Sequence, residues 1–339
     1  MDQPILPLGK LPPDMLEQIL AKLPVSDARV VLGPGIGMDC AVVDAGRQLL
    51  VFKSEPVTFV TNALGWYAVQ ISVNDVATTG AEPRWMLATL LLPEGQTTPQ
   101  MVDRIGDELI SACQSLGISL IGGHTEITHS LTRPILVATL IGEVERQRLV
   151  TPRGAAPGDL ILLTKGVPIE GTAILAQEFA QQLAATLSQE DIRRAAGFLF
   201  DPGISILRDA RVALAAGEVT AMHDPTEGGL IAALCELAKA SGRAMVVDLD
   251  AAPVPPLSAR ICQAFGLDPF ATIASGALLL TVKPSSAEAI QRALEHAGIR
   301  CAIIGRVEAG EGAWNEKNGR RSRLSHPMRD EITRLFEKE

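Results

Sequence analysis

The segment SVNDVATTGAEP, residues 72–83, places the carboxylate of Asp75 near the end of a predicted helix that is otherwise small and apolar. Two other polar segments flanked by glycine, GPGIGMDC (33–40) and IGGHTEIT (121–128), lie in the same half of the chain. Mg²⁺ prefers hard oxygen ligands, and glycine lets backbone N–H groups approach phosphate closely. Although Asp75 alone could be a helix cap, the three segments together predict a magnesium-bound phosphate site.

The length, composition and charge of the chain limit the number of domains and the kind of partner that are expected. At 339 residues it exceeds the size at which one hydrophobic core keeps growing, so two domains are expected. The chain is 47% hydrophobic and only 4% aromatic, so a globular core must be built mainly from Leu, Ile, Val and Ala. A net charge of −9, with a short basic patch at residues 320–323, argues against nucleic acid as the main partner.

The cysteine pattern and the N-terminal sequence predict a cytoplasmic protein. Five widely spaced cysteines form no CxxC motif and no Cys/His cluster with zinc-ligand spacing, so reduced and mostly buried thiols are expected. The sequence MDQPILPLGK lacks the charged and apolar regions of a signal peptide. The longest apolar run, residues 86–92, is too short to span a bilayer, so no membrane contact is expected.

The first 150 residues are predicted to be mixed α and β with hairpins, which disfavours a pure Rossmann order. Residues 1–30 are predicted to form an extended arm, which carries Lys10, and a helix, and residues 31–150 to form the first domain. Predicted strands cover 29–32, 40–43, 49–53, 84–92, 118–121 and 134–144, predicted helices cover 62–79 and 99–116, and GGHTEIT is predicted to be a loop.

Turn sequences at residues 152–159 predict a domain boundary, with a second α/β domain over 151–310. Predicted strands cover 160–164, 219–222, 244–248, 277–282 and 300–307, and predicted helices begin near residues 173, 189, 204, 230 and 285. GVPIEGT and HDPTEGG are predicted loops, and the three prolines at 253, 255 and 256 are predicted to interrupt the chain. Residues 311–339 are predicted to form a polar loop and a short C-terminal helix over 328–336.

Carboxylates of the first half are candidate ligands for a metal ion and its phosphate. The loop GPGIGMD supplies Gly35, Gly37 and Asp39, but it opens no helix of a β-α-β unit and so fails the context of a dinucleotide fingerprint. No G-x-x-x-x-G-K-[ST] sequence is present either. The oxygen donors at predicted strand or helix edges are Asp39, Glu55, Asp75 and Glu126. Each alone could be a surface carboxylate, whereas together they predict a metal–phosphate site.

A second glycine pair lies in GGHTEIT, where Gly122 and Gly123 precede His124 and Thr125. His124 is a candidate general base or a hydrogen-bond donor to phosphate, and the alternative is a polar loop residue without a role. Lys10 is either a solvated residue of the arm or a group that folds over a phosphate. Both alternatives stay open for both residues.

A third glycine pair, Gly228 and Gly229 in HDPTEGGL, precedes a predicted helix. Free N–H groups and the positive end of a helix dipole make such a place a natural anion site, with Asp224 beside it. The alternative is that Asp224 or Thr226 only caps the helix. Cys40 is expected to be a small buried side chain, because the sequence shows no basic neighbour that would lower its pKa.

Eight motifs in chain order resemble the superfamily of aminoimidazole ribonucleotide synthetase, the PurM-like proteins. They are GIGMDCAVV, KSEP, SVNDVATTGAEP, GGHTEIT, PGDLILLTK, EGTAILA, HDPTEGGL and SGALLLTV, and the similarity extends over residues 9–308. Within the superfamily they are most similar to the hydrogenase-maturation HypE proteins and their relatives. The ordered set is specific, although no single motif would be.

The resemblance implies a two-domain PurM-like fold of the α/β (α+β) class, with an N-terminal mixed sheet that pairs across a homodimer and a C-terminal α/β domain. It implies an enzyme that uses ATP and Mg²⁺ to activate an amide-type oxygen by phosphorylation. By position, Asp39, Glu55 and Asp75 match the family's magnesium and phosphate carboxylates, and the GGHTE and HDPTEGG segments match other parts of the phosphate site. The candidate catalytic residues are then His124, Asp75 and Lys10.

The sequence departs from the family pattern in three places. The family has two acidic residues where this chain has Met38-Asp39-Cys40, and Asp where Glu55 stands, so one carboxylate is expected to be missing or longer by one methylene. HypE proteins end in a cysteine that carries the carboxamide to be dehydrated, whereas this sequence ends in Glu-Lys-Glu and is not expected to dehydrate its own tail. No cysteine precedes Cys40, which disfavours the selenophosphate synthetase branch.

Several functional hypotheses stay open. The favoured one is a PurM/HypE-like enzyme that uses ATP and Mg²⁺, with a small molecule or a carrier protein as acceptor. A HypE-type maturation factor acting in trans is the alternative among enzymes, and a nucleotide-binding regulatory or assembly protein without catalysis is the rival from another class. A purine-biosynthesis synthetase is less favoured, because the GGHTE and HDPTEGG segments are closer to HypE.

Overall fold

The computed structural model describes residues 10–58, 60 and 62–336, so the predicted arm before Lys10 lies outside the described residues. The chain divides into two compact units. The N-terminal unit comprises residues 25–34 and 39–149, and the C-terminal unit comprises the described residues up to 24, residues 35–38 and the chain from 150 onward. Helix α1 (Pro13–Leu20) belongs to the C-terminal unit. In the described ranges, no helix combines the length and the apolar character needed to cross a membrane.

A six-stranded sheet forms the framework of the N-terminal unit. Its strands are β1 (Val30–Leu32), β2 (Ala41–Asp44), β3 (Leu49–Val57), β4 (Glu82–Pro93), β5 (Ser119–Thr128) and β6 (Ile135–Val144). Their order is β1-β2-β3-β6-β4-β5, and the β4/β5 pair is parallel while the other pairs are antiparallel. The mixed sheet and the β2/β3 hairpin are as predicted. β3 runs through KSEP, where the sequence predicted a strand exit, because its pairing with β6 continues to Val57.

Two helices complete this unit, α2 (Leu64–Ala77) and α3 (Pro99–Ser115). α2 packs against β3, β6 and α3, and most of its side chains are buried. The helices approach closely because Gly65 has no side chain, and a Cβ atom there would lie 2.4 Å from the carbonyl oxygen of Ile105. Because α2 is buried, a charged side chain on it needs a partner inside the unit.

The C-terminal unit contains a seven-stranded sheet covered by helices. Its strands are β7 (Leu160–Thr164), β8 (Val219–His223), β9 (Ala244–Val247), β10 (Leu279–Val282), β11 (Cys301–Glu308), β12 (Gly312–Lys317) and β13 (Arg320–Leu324). Its further helices are α4 (Ile169–Glu178), α5 (Ala180–Leu183), α6 (Gln189–Ala196), α7 (Leu207–Ala216), α8 (Gly229–Ser241), α9 (Pro256–Phe265) and α10 (Pro284–His296). The strand order is β13-β12-β9-β11-β7-β10-β8, and the β9/β12 pair is parallel.

The predicted terminal β-α-β unit is present, because β10 and β11 lie on either side of β7 and α10 connects them. On this sheet the apolar side of α8, with Leu230, Leu234 and Leu237, is fully buried in the core. The sheet thus fixes the start of α8, where the HDPTEGG segment ends.

Several predicted loops are regular elements instead. Residues 310–325 were predicted to be a loop, but they form the β12/β13 hairpin, whose turn residues Asn318 and Gly319 both adopt positive φ. Asn-Gly is a strong sequence signal for such a turn. Pro256 begins α9 rather than interrupting the chain, since proline is favoured in the first turn of a helix. α4 begins inside the predicted loop GVPIEGT, and the predicted C-terminal helix is a 3₁₀ turn, Glu331–Leu335.

Candidate functional site

Two carboxylates of the N-terminal unit converge on one lysine. Lys53 and Glu55 lie two residues apart on β3 and therefore point to the same face of the sheet. The Nζ atom of Lys53 lies 3.0 Å from a carboxylate oxygen of Glu55 and 3.2 Å from Oδ2 of Asp75 on α2. The Asp75 side chain is 5% exposed and the Lys53 side chain 15% exposed. Two hard oxygen donors of the kind that Mg²⁺ prefers thus converge from different elements on one cation, the Lys53 ammonium group.

The electrostatics of this cluster favour a cation. Burial by itself would lower the pKa of Lys53, but Asp75, Glu55 and Asp39 together outweigh burial and raise the pKa of Lys53 well above its ordinary value. The charge of Asp39 thus adds to the effect of the two carboxylates that contact Lys53. We name Asp39, Lys53, Glu55 and Asp75 the carboxylate cluster. It contains the three residues predicted to bind metal, and carboxylate oxygens are the hard donors that Mg²⁺ prefers.

Asp75 is not a helix cap, the alternative left open above. It lies in the last turn of α2, whose N-cap residue is Ala63. A carboxylate near a helix C-terminus opposes the helix dipole. The hydroxyl of Thr78 donates to the carbonyl oxygen of Asp75 at 2.6 Å, and the hydroxyl of Thr79 donates to that of Val76 at 2.7 Å. Threonines thus satisfy the helix end, and the Asp75 carboxylate faces Lys53.

The predicted loop GGHTEIT forms the last seven residues of β5, an edge strand of the N-terminal sheet among the described residues. Its glycines allow close pairing with β4, because a Cβ atom at Gly123 would lie 1.8 Å from the carbonyl oxygen of Ala88. Nε2 of His124 lies 3.1 Å from a carboxylate oxygen of Glu126, and both side chains are exposed. Among the described residues, the structure therefore pairs His124 with Glu126 rather than with the carboxylate cluster.

A groove of about 590 Å³ lies beside β5, between β4 and α3. Gly122, Gly123, His124 and Thr125 line it from the strand, and apolar side chains line the rest, among them Leu90, Leu109 and Ile110. On the same edge, Ile121 is 55% exposed and Ile127 is 59% exposed. Apolar side chains on an unpaired edge strand are rare in a monomer, because such an edge invites pairing.

The glycine turn of the C-terminal unit holds a carboxylate from the chain itself. Gly228 and Gly229 have φ of 81° and 62°, and Gly229 begins α8. The N–H of Gly228 donates to Oδ2 of Asp330 at 2.6 Å, and the N–H of Ile332 donates to Oδ1 at 2.9 Å. Burial raises the pKa of Asp330 to about 7, although hydrogen bonds from the backbone at Gly228, Ile332 and Ile273 act against burial. At Gly228 the N–H group that was predicted to bind an anion is thus bound to a side chain of the chain itself.

Two histidines and Lys10 surround the HDPTEGG turn. A carboxylate oxygen of Glu236, on α8, lies 2.8 Å from Nε2 of His223, and the other lies 3.4 Å from Nε2 of His326. Burial would raise the pKa of Glu236, but these hydrogen bonds outweigh burial and lower it well below its ordinary value. The ammonium group of Lys10 donates to the hydroxyl of Thr226 at 3.0 Å. Lys10 thus contacts the turn and is not a fully solvated arm residue.

The remaining predicted residues also belong to the C-terminal unit. Asp224 is 1% exposed, and one of its oxygens lies 4.0 Å from Nδ1 of His223. Gly37 has a φ of 72°, and a Cβ atom there would lie 2.7 Å from the carbonyl oxygen of Glu236. Close packing against α8 therefore requires a glycine at position 37, independently of any ligand that the residue binds. Gly35 precedes it in the same segment, 35–38.

Sequence reasoning missed four charged groups, namely Lys53, Glu236, His326 and Asp330. Lys53 had a usable signal, since alternation along β3 places it on the same face as Glu55. The other three had none, because their partners are distant in sequence. Asp330, for example, lies 102 residues from Gly228.

Comparisons with known proteins place the chain in a family. Residues 37–144 match the N-terminal domain, and residues 156–313 match the C-terminal domain, of AIR synthase related proteins. The carbamoyl dehydratase HypE of Azotobacter vinelandii is 30% identical over 277 residues, which are 78% of this chain and 76% of that protein. A solved HypE–HypF complex contains a chain with a TM-score of 0.74 and 20% identity, covering 92% of this chain and 99% of the other.

A second solved structure, HypE in complex with ATP, has a TM-score of 0.69 and 24% identity and covers 91% of this chain and 90% of its own. At 20% and 24% identity, structural similarity is evidence for the fold alone, and it confirms the predicted PurM-like two-domain fold class. Family membership is established by the sequence matches. The chain belongs to the AIR synthase related, PurM-like family, with HypE proteins among its relatives.

Proposed function

We propose that this chain is an enzyme that uses ATP and Mg²⁺ to phosphorylate an amide-type oxygen of its acceptor. One observation carries the proposal. The carboxylates of Glu55 and Asp75, from two different elements of the N-terminal unit, converge within 3.2 Å of one cation position, with Asp39 acting on the same position. This cluster lies inside the segment that matches the N-terminal domain of AIR synthase related proteins.

In the proposed reaction, the amide oxygen of the acceptor takes the terminal phosphoryl group of ATP, ADP leaves, and the phosphorylated intermediate then loses phosphate. Mg²⁺, when bound, neutralises the negative charge of the phosphate oxygens. Asp39, Glu55 and Asp75 would hold that ion. The residues of this chain act mainly by positioning the reacting groups, because phosphoryl transfer depends on positioning and charge neutralisation.

The acceptor is proposed to be a small molecule or a carrier protein that acts in trans. Relatives named carbamoyl dehydratase and a structural neighbour solved with ATP support the use of ATP. A neighbour solved in complex with HypF supports a protein partner. The proposed acceptor chemistry is therefore inferred from the relatives, whereas the proposed ATP site is inferred from the carboxylate cluster.

A homodimer through β5 is part of the proposal. Ile121 and Ile127 present apolar surface on β5, which is an edge strand among the described residues, next to an apolar groove. Pairing of two such edges would bury both features at once.

The test is release of phosphate from ATP with Mg²⁺, comparing the wild type with Asp75→Asn. The amide keeps the size of the side chain but removes its charge, so turnover should fall about a hundredfold or more, the scale expected when a charge-stabilising group is lost. Asp107→Asn, on the exposed side of α3, is the matched control and should retain turnover. Equal turnover in wild type and Asp75→Asn would contradict the proposal. Nucleotide binding without turnover in the wild type would favour the regulatory alternative.

A further inference from the structure

The carboxylate cluster contains a feature that the metal-ligand prediction did not include. Lys53 places a permanent positive charge at the point where the oxygens of Glu55 and Asp75 converge. The Nζ atom of Lys53 therefore already fills the cation position between these two carboxylates.

The position of Lys53 is fixed by the fold rather than by chance. It lies in the middle of β3, which pairs with β2 on one side and with β6 on the other. Its side chain is only 15% exposed, so the ammonium group has left most of its water. A largely buried ammonium group is stable only with close anionic partners, and Glu55 and Asp75 provide them.

The sequence around Asp39 agrees with a reduced need for metal. Asp39 stands between Met38 and Cys40, neither of which is a carboxylate. A cluster that carried more carboxylates and no lysine would need more external positive charge to become neutral. In this chain the side chain of Lys53 supplies one positive charge to the cluster.

We propose that Lys53 is the built-in cation of the carboxylate cluster and limits the site to a single divalent ion. Lys53 is a positioning residue here, since it acts on Glu55 and Asp75 and through them on the ion. In the absence of nucleotide, a divalent ion must compete with a lysine already in contact with both carboxylates, so the free protein binds such an ion weakly. The inference rests on the proposed function, because it concerns the same site.

The test measures binding of Mn²⁺, a spectroscopically visible substitute for Mg²⁺, to the full chain without nucleotide. The signal of free Mn²⁺ in electron paramagnetic resonance gives the affinity. Lys53→Met removes the charge and keeps much of the apolar stem, so it should bind Mn²⁺ at least about tenfold more tightly than the wild type, a change well within the range of one lost ionic contact. Lys53→Arg keeps the charge and should bind Mn²⁺ as weakly as the wild type.

Stoichiometry gives a second readout. With a non-hydrolysable ATP analogue at saturation, the wild type should take up one Mn²⁺ per chain, whereas Lys53→Met should take up more than one. If Lys53→Met does not fold alone, millimolar Mn²⁺ in the refolding buffer should restore a folded protein, because the ion replaces the missing charge.

Three results would overturn the inference. They are unchanged Mn²⁺ affinity in Lys53→Met, two ions per wild-type chain with the analogue, and no rescue of an unfolded Lys53→Met by Mn²⁺. Binding of the analogue to the wild type is measured in the same samples. If the wild type binds the analogue and Lys53→Met binds Mn²⁺ as the wild type does, only this inference fails. A wild type that binds neither the analogue nor Mn²⁺ overturns the proposed function as well.

Discussion

The carboxylate cluster of the N-terminal unit and the glycine turn of the C-terminal unit show opposite solutions to the same problem. In the cluster, acidic side chains receive a cation from the chain, Lys53. At the turn, backbone N–H groups receive a hydrogen-bond acceptor from the chain, the carboxyl group of Asp330. The cluster is partly open, with the Glu55 side chain 30% exposed, whereas Asp330 is 3% exposed. An open ionic cluster can exchange its partner for a ligand, and a buried one mainly stabilises the fold.

This difference predicts that Asp330 contributes mainly to the stability of the fold rather than to ligand binding. Asp330→Ala should lower the free energy of unfolding by about 1–3 kcal/mol, because the N–H groups of Gly228 and Ile332 lose their acceptor in a buried place. Thermal unfolding should show a fall of several degrees. Met328→Ala is the control, since that side chain is 90% exposed in the same segment and should leave the midpoint unchanged. A midpoint for Asp330→Ala equal to that of the wild type would contradict the stabilising role.

The titration of Asp330 sharpens the same contrast. Its pKa is raised from 3.8 to about 7, so the folded state binds the proton more tightly than the unfolded state does. The stability that this adds is complete below about pH 4 and is lost as the pH rises toward 7. The stability difference between the wild type and Asp330→Asn should therefore become less favourable to the wild type between pH 5 and pH 8. Denaturation with urea at both pH values measures it, and a difference independent of pH would contradict the raised pKa.

The two units also differ at their sheet edges, and here the smallest effect on stability is expected. β13 carries arginines, of which Arg321 pairs with Glu308 and Glu316, whereas β5 exposes Ile121 and Ile127. Charged edges resist pairing and apolar edges permit it. Ile121→Lys should convert the proposed dimer to a monomer in sedimentation velocity with little change in thermal midpoint.

Met328→Lys adds the same charge to the C-terminal unit and should leave the sedimentation coefficient of the wild type unchanged. A wild type that sediments as a monomer would contradict pairing through β5, and so would an Ile121→Lys variant that remains a dimer.

Local patterns predicted the elements whose signals are local. The cap at Thr98 with Pro99 at the start of α3 was predicted, and so was the β2/β3 hairpin. Asp75 was identified because a carboxylate on a small, apolar helix is conspicuous in the sequence. Chain length and the turns at residues 152–159 predicted two domains, and the resemblance to PurM-like proteins supplied their fold.

Contacts between distant parts of the chain could not be predicted from such patterns. GGHTEIT has the composition of a loop, and only its parallel pairing with β4 makes it a strand. Asp330 reaches Gly228 across 102 residues, and nothing in the sequence near either residue indicates it. Lys53 differs from Asp330 in having a local signal, since it lies two residues from Glu55 on the same face of β3.

The most direct test of the central claim, that the carboxylate cluster binds nucleotide, is calorimetric titration of a non-hydrolysable ATP analogue with Mg²⁺ into the wild type, Asp75→Asn and Asp107→Asn. We predict saturable binding by the wild type and by Asp107→Asn, and binding at least about tenfold weaker in Asp75→Asn, which corresponds to about 1.4 kcal/mol or more. No binding by the wild type, or equal binding by the wild type and Asp75→Asn, would contradict the claim.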